Sequence, residues 1–262
     1  MSNSALQVAR TGLDAQNTKM RVIANNLANV NTTGFKRDRA QFETLSYQQV
    51  VQKGAAADQQ NKFATGLSLG TGVAISGTAR IDTQGSLQTT GNAMDLAIEG
   101  NGYFPVQLPD GGTAYTRAGN FNLTADGTMV TSDGLPLQPQ IQVPEGATSV
   151  TIGADGTVSA TLQGQTEPNE LGRIEIANFV NSAGLESIGN NLLKETAASG
   201  APITGAAGEE GRGVLRQGAL EGSNVNIVEE LVDMIETQRA YEVNSKMISA
   251  TDEMLQFANQ QL

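Results

Sequence analysis

The 262-residue chain carries a formal net charge of −11 and contains no His, Cys or Trp. Those absences exclude Ser-His-Asp and Cys-His nucleophiles, an imidazole proton shuttle at neutral pH, disulfides, and zinc sites built on His or Cys. Scattered Lys and Arg on an acidic background argue against a nucleic-acid partner, and 7 Phe with 4 Tyr call for small or aliphatic cores.

The length is that of one or two domains. MSNSALQVARTGLDAQ at the start lacks the apolar region of a secretory signal, and no run of eighteen apolar residues occurs, so a soluble chain not processed by that route is expected. Charge is partitioned, with +3 over residues 1–45, −8 over 46–220 and −6 over 221–262. Backbone breakers are partitioned too: every proline lies between Pro105 and Pro202, Gly12 alone precedes Gly34, and no glycine follows Gly222. Both ends therefore read as uninterrupted helix and the middle as something else.

In the first segment Leu6, Leu13, Met20 and Leu27 recur every seven residues, each followed three positions later by Ala9, Gln16, Ile23 and Val30. That is an a/d seam, and its strictness favours a partnered helix over one lying on its own domain. Gly34, after Asn31-Thr32-Thr33, is placed to close the helix as a left-handed C′ residue, with Phe35 folding back on the last turn. Residues 46–70 lack hydrophobic periodicity and read as an extended or order-on-assembly connector, and residues 199–213 read as a loop.

Between them the pattern is β. Asp110-Gly111, Asp126-Gly127, Asp133-Gly134 and Asp155-Gly156 separate short alternating runs, as hairpin turns do. LTADGTMVT and IGADGTVSA share that turn chemistry without forming a true repeat. In the last segment Asn226 precedes Glu229 by three, an Asn version of the capping box, and Glu229, Glu230 and Asp233 suit the positive helix end. Ile227, Met234, Tyr241, Ile248, Leu255 and Leu262 keep a seven-residue period, with Leu231 and Ile235 beside it. A second stripe of Ala240, Val243, Met247, Ala250, Met254 and Phe257 widens the apolar face enough to need neighbours on two sides.

Gly66-Leu67-Ser68-Leu69-Gly70 fits the nucleophile-elbow pattern, but no His exists to activate the serine and the following TGVAIS favours a strand. Carboxylate chemistry of glycosidase type survives the residue inventory. Of its central candidates Asp110, Asp126 and Asp133 precede glycine and read as turn residues, which leaves Asp95 and Glu99. No phosphate loop or calcium loop is complete. No catalytic, cofactor-binding or metal residue is assigned, and no cofactor is expected.

ANNLANVNTTGFKR at 24–37, after a heptad helix with TGLDAQ, resembles the N-terminal signature of bacterial flagellar rod and hook axial proteins. SNVNIVEELVDMIETQRAYEVNSKMISATDEML at 223–255 is similar to the C-terminal signature of the same family. LGTGVAI at 69–75, DLAIEGNGYF at 95–104, AYTRAGNFNLTADGTMVTSDG at 114–134 and GLESIGNNLL at 184–193 extend the likeness over essentially the whole chain. The family-motif residues are Asn25, Asn26, Leu27, Asn29, Gly34, Phe35, Lys36, Arg239, Ala240 and Tyr241. Length and the long connector point toward the distal-rod branch, with proximal rod and hook subunits as alternatives because they share the terminal motifs. Two departures stand out: Tyr103 where the family leads one to expect Phe, and Pro105 inside an expected strand, which should then be an edge or carry a bulge.

The resemblance implies an α+β fold. Residues 1–36 pair with 223–262 as helices in a coiled-coil-like layer of the assembly, 37–90 with 203–222 form an extended connector, and 91–202 form a mainly antiparallel β domain. It implies a structural subunit, not an enzyme, of a hollow helical drive shaft that passes torque to hook and filament. The implied partners are copies of itself, proximal rod subunits below, hook subunits above, surrounding ring proteins and the flagellar type III export apparatus, with no nucleic acid and no small-molecule substrate. The implied place is the basal-body rod across the periplasm, reached without a cleaved signal peptide. Assembly contacts are expected from Leu6, Ala9, Leu13, Met20, Ile23, Leu27 and Val30 on one helix. On the other they are expected from Ile227, Leu231, Met234, Tyr241, Met247, Ile248, Met254, Leu255 and Leu262. Two readings of other kinds stay open, a carboxylate-dependent periplasmic glycan hydrolase using Asp95 or Glu99 and a non-flagellar fibre or phage-tail-like protein.

If the seams drive assembly, Leu13→Asp or Ile248→Asp blocks polymerisation while the central domain stays folded. Sedimentation of each variant beside its circular dichroism spectrum checks this, and a variant that assembles normally rules the seams out.

Overall fold

The computed structural model describes residues 2–52, 65–164 and 167–260. It has the expected α+β character, with long helices at both ends and an antiparallel β region between. The chain divides into two compact units, one of residues 1–27, 38–79 and 226–262 and the other of 28–37 and 80–225.

In the first unit α1 (Ser2–Ala28) and α2 (Ile227–Gln260) run uninterrupted, as the lack of Pro and the near-lack of Gly dictate. The start of α2 is as its sequence indicates: the Asn226 side chain accepts the Val228 N–H at 3.0 Å, and its carbonyl accepts that of Glu230 at 3.0 Å. The two helices are antiparallel. Asn26 meets Glu230 at 3.3 Å, and fourteen residues earlier on α1 a Cβ at Gly12 would stand 3.0 Å from the Asn244 amide, fourteen residues further along α2. Glycine at 12 is thus what allows the close approach.

Two strand pairs complete this unit, Asp38–Thr44 with Val73–Arg80 and, antiparallel, Tyr47–Val51 with Leu67–Gly70. The Asn26 amide fixes the chain's return from α1 by donating to the Asp38 carbonyl at 2.9 Å and accepting the Asp38 N–H at 3.0 Å. Thr11 similarly accepts the Val73 N–H at 3.3 Å. The connector expected at 46–70 is therefore strand at both of its ends, while residues 53–64 lie outside the described residues.

The second unit is a mosaic of short sheets. Its largest has the order Glu186–Gly189, Leu192–Lys194, Thr113–Thr116, Phe104–Gln107, and a three-stranded meander joins Ala147–Ile152, Thr157–Leu162 and Asn169–Arg173. Pro105 sits in an edge strand of the four-stranded sheet, the position its missing N–H requires. All four Asp-Gly steps are hairpin turns: the glycine N–H bonds back three residues, at 3.0 Å from Gly111, 2.9 Å from Gly127 and Gly134, and 3.0 Å from Gly156. Each of these glycines has positive φ, as a type I turn followed by a left-handed residue needs. The segment read as a loop at 199–213 contains a strand, Ile203–Ala206, paired with Glu175–Asn178.

The core is aliphatic, from Leu96, Ile98, Val106, Leu137, Val158 and Ile176, around an edge-on Phe104–Phe121 pair at 5.1 Å. A second cluster sets Tyr103 and Tyr115 edge-on against Phe179. The sequence called for small or aliphatic cores, yet Tyr103, Phe104, Tyr115, Phe121 and Phe179 are buried in these two clusters.

The N-terminal helix stops at Ala28, short of the Gly34 expected to close it. Asn29 and Thr32 make a turn through both backbone and side chain, at 3.1 Å each, because short polar side chains compete with helical hydrogen bonds. Gly34 is left-handed (φ +70°), but not as a helix cap: its N–H donates to the Glu221 carbonyl at 2.8 Å, and a Cβ would lie 2.6 Å from the Arg117 carbonyl carbon. Gly34→Ala should lower the stability of this unit by about 2–4 kcal/mol, left-handed strain plus the clash. Gly91→Ala, with φ +77° and open space around it, should lower it by only about 1–2 kcal/mol. Thermal unfolding of the two variants separates the contributions.

Candidate assembly surfaces and the buried charged junction

Within the second unit three distant stretches meet at one carboxylate. Glu221, at the end of strand Ala219–Glu221, is fully buried and accepts Lys36 Nζ at 2.7 Å on one oxygen and Arg117 Nε at 2.6 Å on the other. The Gly85 N–H adds 2.9 Å to the first oxygen, and Lys36 also donates to the Thr83 carbonyl at 2.8 Å. Arg117 uses its remaining nitrogens on the carbonyls of Gly100, Gly102 and Ile98. Both terminal nitrogens of the guanidinium are therefore held by backbone carbonyls that only this fold presents, and its Nε by Glu221.

Burial alone would raise the Glu221 carboxyl, but Arg117 and Lys36 together outweigh it and hold the group below its ordinary 4.5. Burial lowers the Lys36 ammonium, with Glu221 opposing. The Tyr103 phenol is raised by burial first and by the charge of Asp82 next, so it stays protonated. Asn224 fastens the same region, accepting the Arg37 N–H at 2.7 Å and donating to the carbonyls of Ile81 at 2.8 Å and Thr83 at 3.0 Å. The resemblance had marked Gly34, Phe35 and Lys36. Arg117, Glu221 and Asn224 went unrecognised, although a charged residue inside the apolar run AYTRAGNF is a readable sign of a buried partner.

In the first unit the helices divide their faces unexpectedly. On α1, Ala9 and Ile23 are buried and Leu6, Leu13, Gln16, Met20 and Leu27 are half-buried, while Val30 lies half-buried beyond the helix end. On α2 the most buried positions are polar: Glu230 and Thr237, followed seven residues on by half-buried Asn244 and Thr251. Met234 and Ile248 flank that line half-buried, and Ile227, Leu231 and Tyr241 are exposed. The second stripe faces out: Val243 is 59% exposed, Met247 49%, Met254 65% and Phe257 63%, with only Ala240 half-buried. The Leu255 side chain and Leu262 lie outside the described residues. Among motif residues Asn26 is buried, Asn29 half-buried, and Asn25 and Arg239 exposed.

The strand pairs of this unit also present apolar side chains to solvent, including Phe42, Tyr47, Val50, Leu67 and Leu69. So much exposed apolar surface on one unit marks an interaction site. Catalytic alternatives find no such support. Asp95 is tied into its own turn by Thr90 at 2.6 Å and Asn92 at 3.1 Å, and Glu99 is exposed on a strand opposite Val214. Ser68 lies mid-strand opposite Gln49 and not on an elbow. Among the described residues no group of acidic side chains is arranged to hold a metal, and no helix is long and apolar enough to cross a membrane.

Three family models match the chain: "Flagella basal body rod protein" over residues 6–36, "Flagellar hook protein FlgE/F/G D1 domain" over 97–160 and "Flagellar basal body rod FlgEFG protein C-terminal" over 216–261. The chain is 52% identical to the flagellar basal-body rod protein FlgG of Buchnera aphidicola (subsp. Acyrthosiphon pisum), over 98% of each chain. To the FlgG of Caulobacter vibrioides it is 48% identical over 98% of each chain. To that organism's rod protein FlgF it is 37% identical over 96% of each chain.

The junction makes its own prediction. Glu221→Gln leaves two buried cations short of their counter-charge and should destabilise the β unit by about 3–5 kcal/mol. Because the folded carboxyl sits below 4.5, its stabilisation is present above that pH and lost as the pH falls through the folded value. The variant's stability should therefore decline less than the parent's on acidification below pH 4.5, as denaturant titrations across pH will read.

Proposed function

The chain belongs to the flagellar basal-body rod protein family, and on that premise we propose that it is the subunit of the distal rod. It is a structural, non-enzymatic component of the flagellar basal body that self-assembles into the axial structure. The single observation that carries the distal assignment is the difference within one organism, 48% identity to FlgG against 37% to FlgF.

In this reading the terminal helices form the inner, coiled-coil-like layer of a hollow helical shaft, with the β unit outside. Torque passes through many contacts in parallel and no bond is hydrolysed. The helical domain comprises 1–36 with 223–262, the connector 37–90 with 203–222, and the outer domain 91–202. Partners are further copies of the chain, proximal rod subunits below, hook subunits above and ring proteins around. The chain reaches its place across the periplasm through the flagellar type III export apparatus without a cleaved signal peptide.

Supporting the self-assembly geometry is the outward apolar stripe of α2, from Val243 through Phe257. Burying each such side chain contributes about 1.5–3 kcal/mol, and a copy of the same chain supplies the complementary apolar surface. Val243→Asp tests it. Val243 is exposed in the subunit, so thermal stability should change by about 0.5 kcal/mol or less. Burying a carboxylate in the contact should raise the critical concentration for assembly at least about a hundredfold. Sedimentation gives that concentration, and assembly at the parental value would remove the stripe from the interface.

A further inference from the structure

With no cysteine in the chain, its 7 methionines carry all of its sulfur; Met1 lies outside the described residues, and the structure sorts the other six by depth. Met129 is fully buried in the β core and Met94 is half-buried against it. Met20 and Met234 are half-buried on the helix pair. Met247 and Met254 stand largely in solvent, and their seven-residue spacing places both on one stripe of α2, with Val243 and Phe257. A thioether is apolar and adaptable, and its sulfoxide is polar.

We propose that Met247 and Met254 form an oxidation-sensitive pair through which peroxide governs assembly of the free subunit. Each sulfur takes one oxygen atom from hydrogen peroxide and is oxidised by two electrons, while the peroxide is reduced and leaves as water. The resulting S=O dipoles have no hydrogen-bond donor to meet in an apolar contact, so burying them against a neighbouring copy is disfavoured. Once assembled, the same contact covers both sulfurs and excludes the oxidant. Incorporated subunits are thereby protected and only unassembled ones are turned away. The inference rests on the outward stripe of α2 being a contact between copies of the chain, as proposed above.

The test uses the full-length protein. Dilute chain is exposed to hydrogen peroxide, the sulfoxides are located by peptide mass spectrometry, and the quenched sample is concentrated and sedimented. Met247 and Met254 should oxidise at least about tenfold faster than Met129, and the treated protein should need at least about tenfold more concentration to assemble. Methionine sulfoxide reductases should restore assembly. The Met247→Leu/Met254→Leu variant should show the same critical concentration before and after peroxide, whatever its untreated value. Equal oxidation of the core and helix methionines overturns the proposal, as does a leucine variant as sensitive as the parent. Untreated protein that assembles and treated protein that assembles equally well removes the switch alone. Untreated protein that stays monomeric at every concentration removes the self-assembly contact and the switch with it.

Discussion

One carboxylate anchors the β unit. Glu221 answers two cations, Lys36 and Arg117, that precede it by 185 and 104 residues. A buried charge is tolerated only when paired and hydrogen-bonded, so neither cation has an acceptable place until the last strand is laid down. Substituting apolar groups for the whole cluster would not have to weaken the fold. What ionic groups supply here is position: a guanidinium spread over Glu221 and three carbonyls fits one arrangement of the strands. Asn224 and the Gly34 N–H then register the returning chain against that fixed point.

The helical unit follows the opposite logic. An ordinary surface helix turns its apolar stripe inward. Here α2 turns Glu230, Thr237 and Asn244 toward α1 and leaves Val243, Met247, Met254 and Phe257 outside. Polar contacts such as Asn26 to Glu230 give the pair its register with little net attraction. The strong, undirected attraction is left for other molecules. This division suits a subunit whose final environment is a lattice.

Much of this was readable in the sequence because its causes are local. The absence of Pro and near-absence of Gly set the two helices, Asn226 marked the start of α2, each Asp-Gly step became a turn, and Pro105 went to an edge. Periodicity found the stripes of α2 but could not say which line would be covered first, since the polar line at 230, 237 and 244 carries no hydrophobic signal. The helix end was misplaced because a glycine with positive φ was credited to capping, when the close passage of the Arg117 backbone requires it. Glu221 was invisible for a related reason. Its partners lie far away in sequence, and no spacing rule reaches that far.

The antiparallel course of α1 and α2 has a geometric corollary. Since Gly12 lies beside Asn244 and Asn26 beside Glu230, continuing the register puts the first turns of α1 next to the last turns of α2. The beginning and the end of the described chain are therefore near neighbours, at the end of the helix pair opposite Asn26 and Glu230. By that register Ser2 lies beside Met254, and α2 runs on past the start of α1 for about six residues, roughly 9 Å. Two dyes, one at each terminus, would report the integrity of the hairpin as a single short distance.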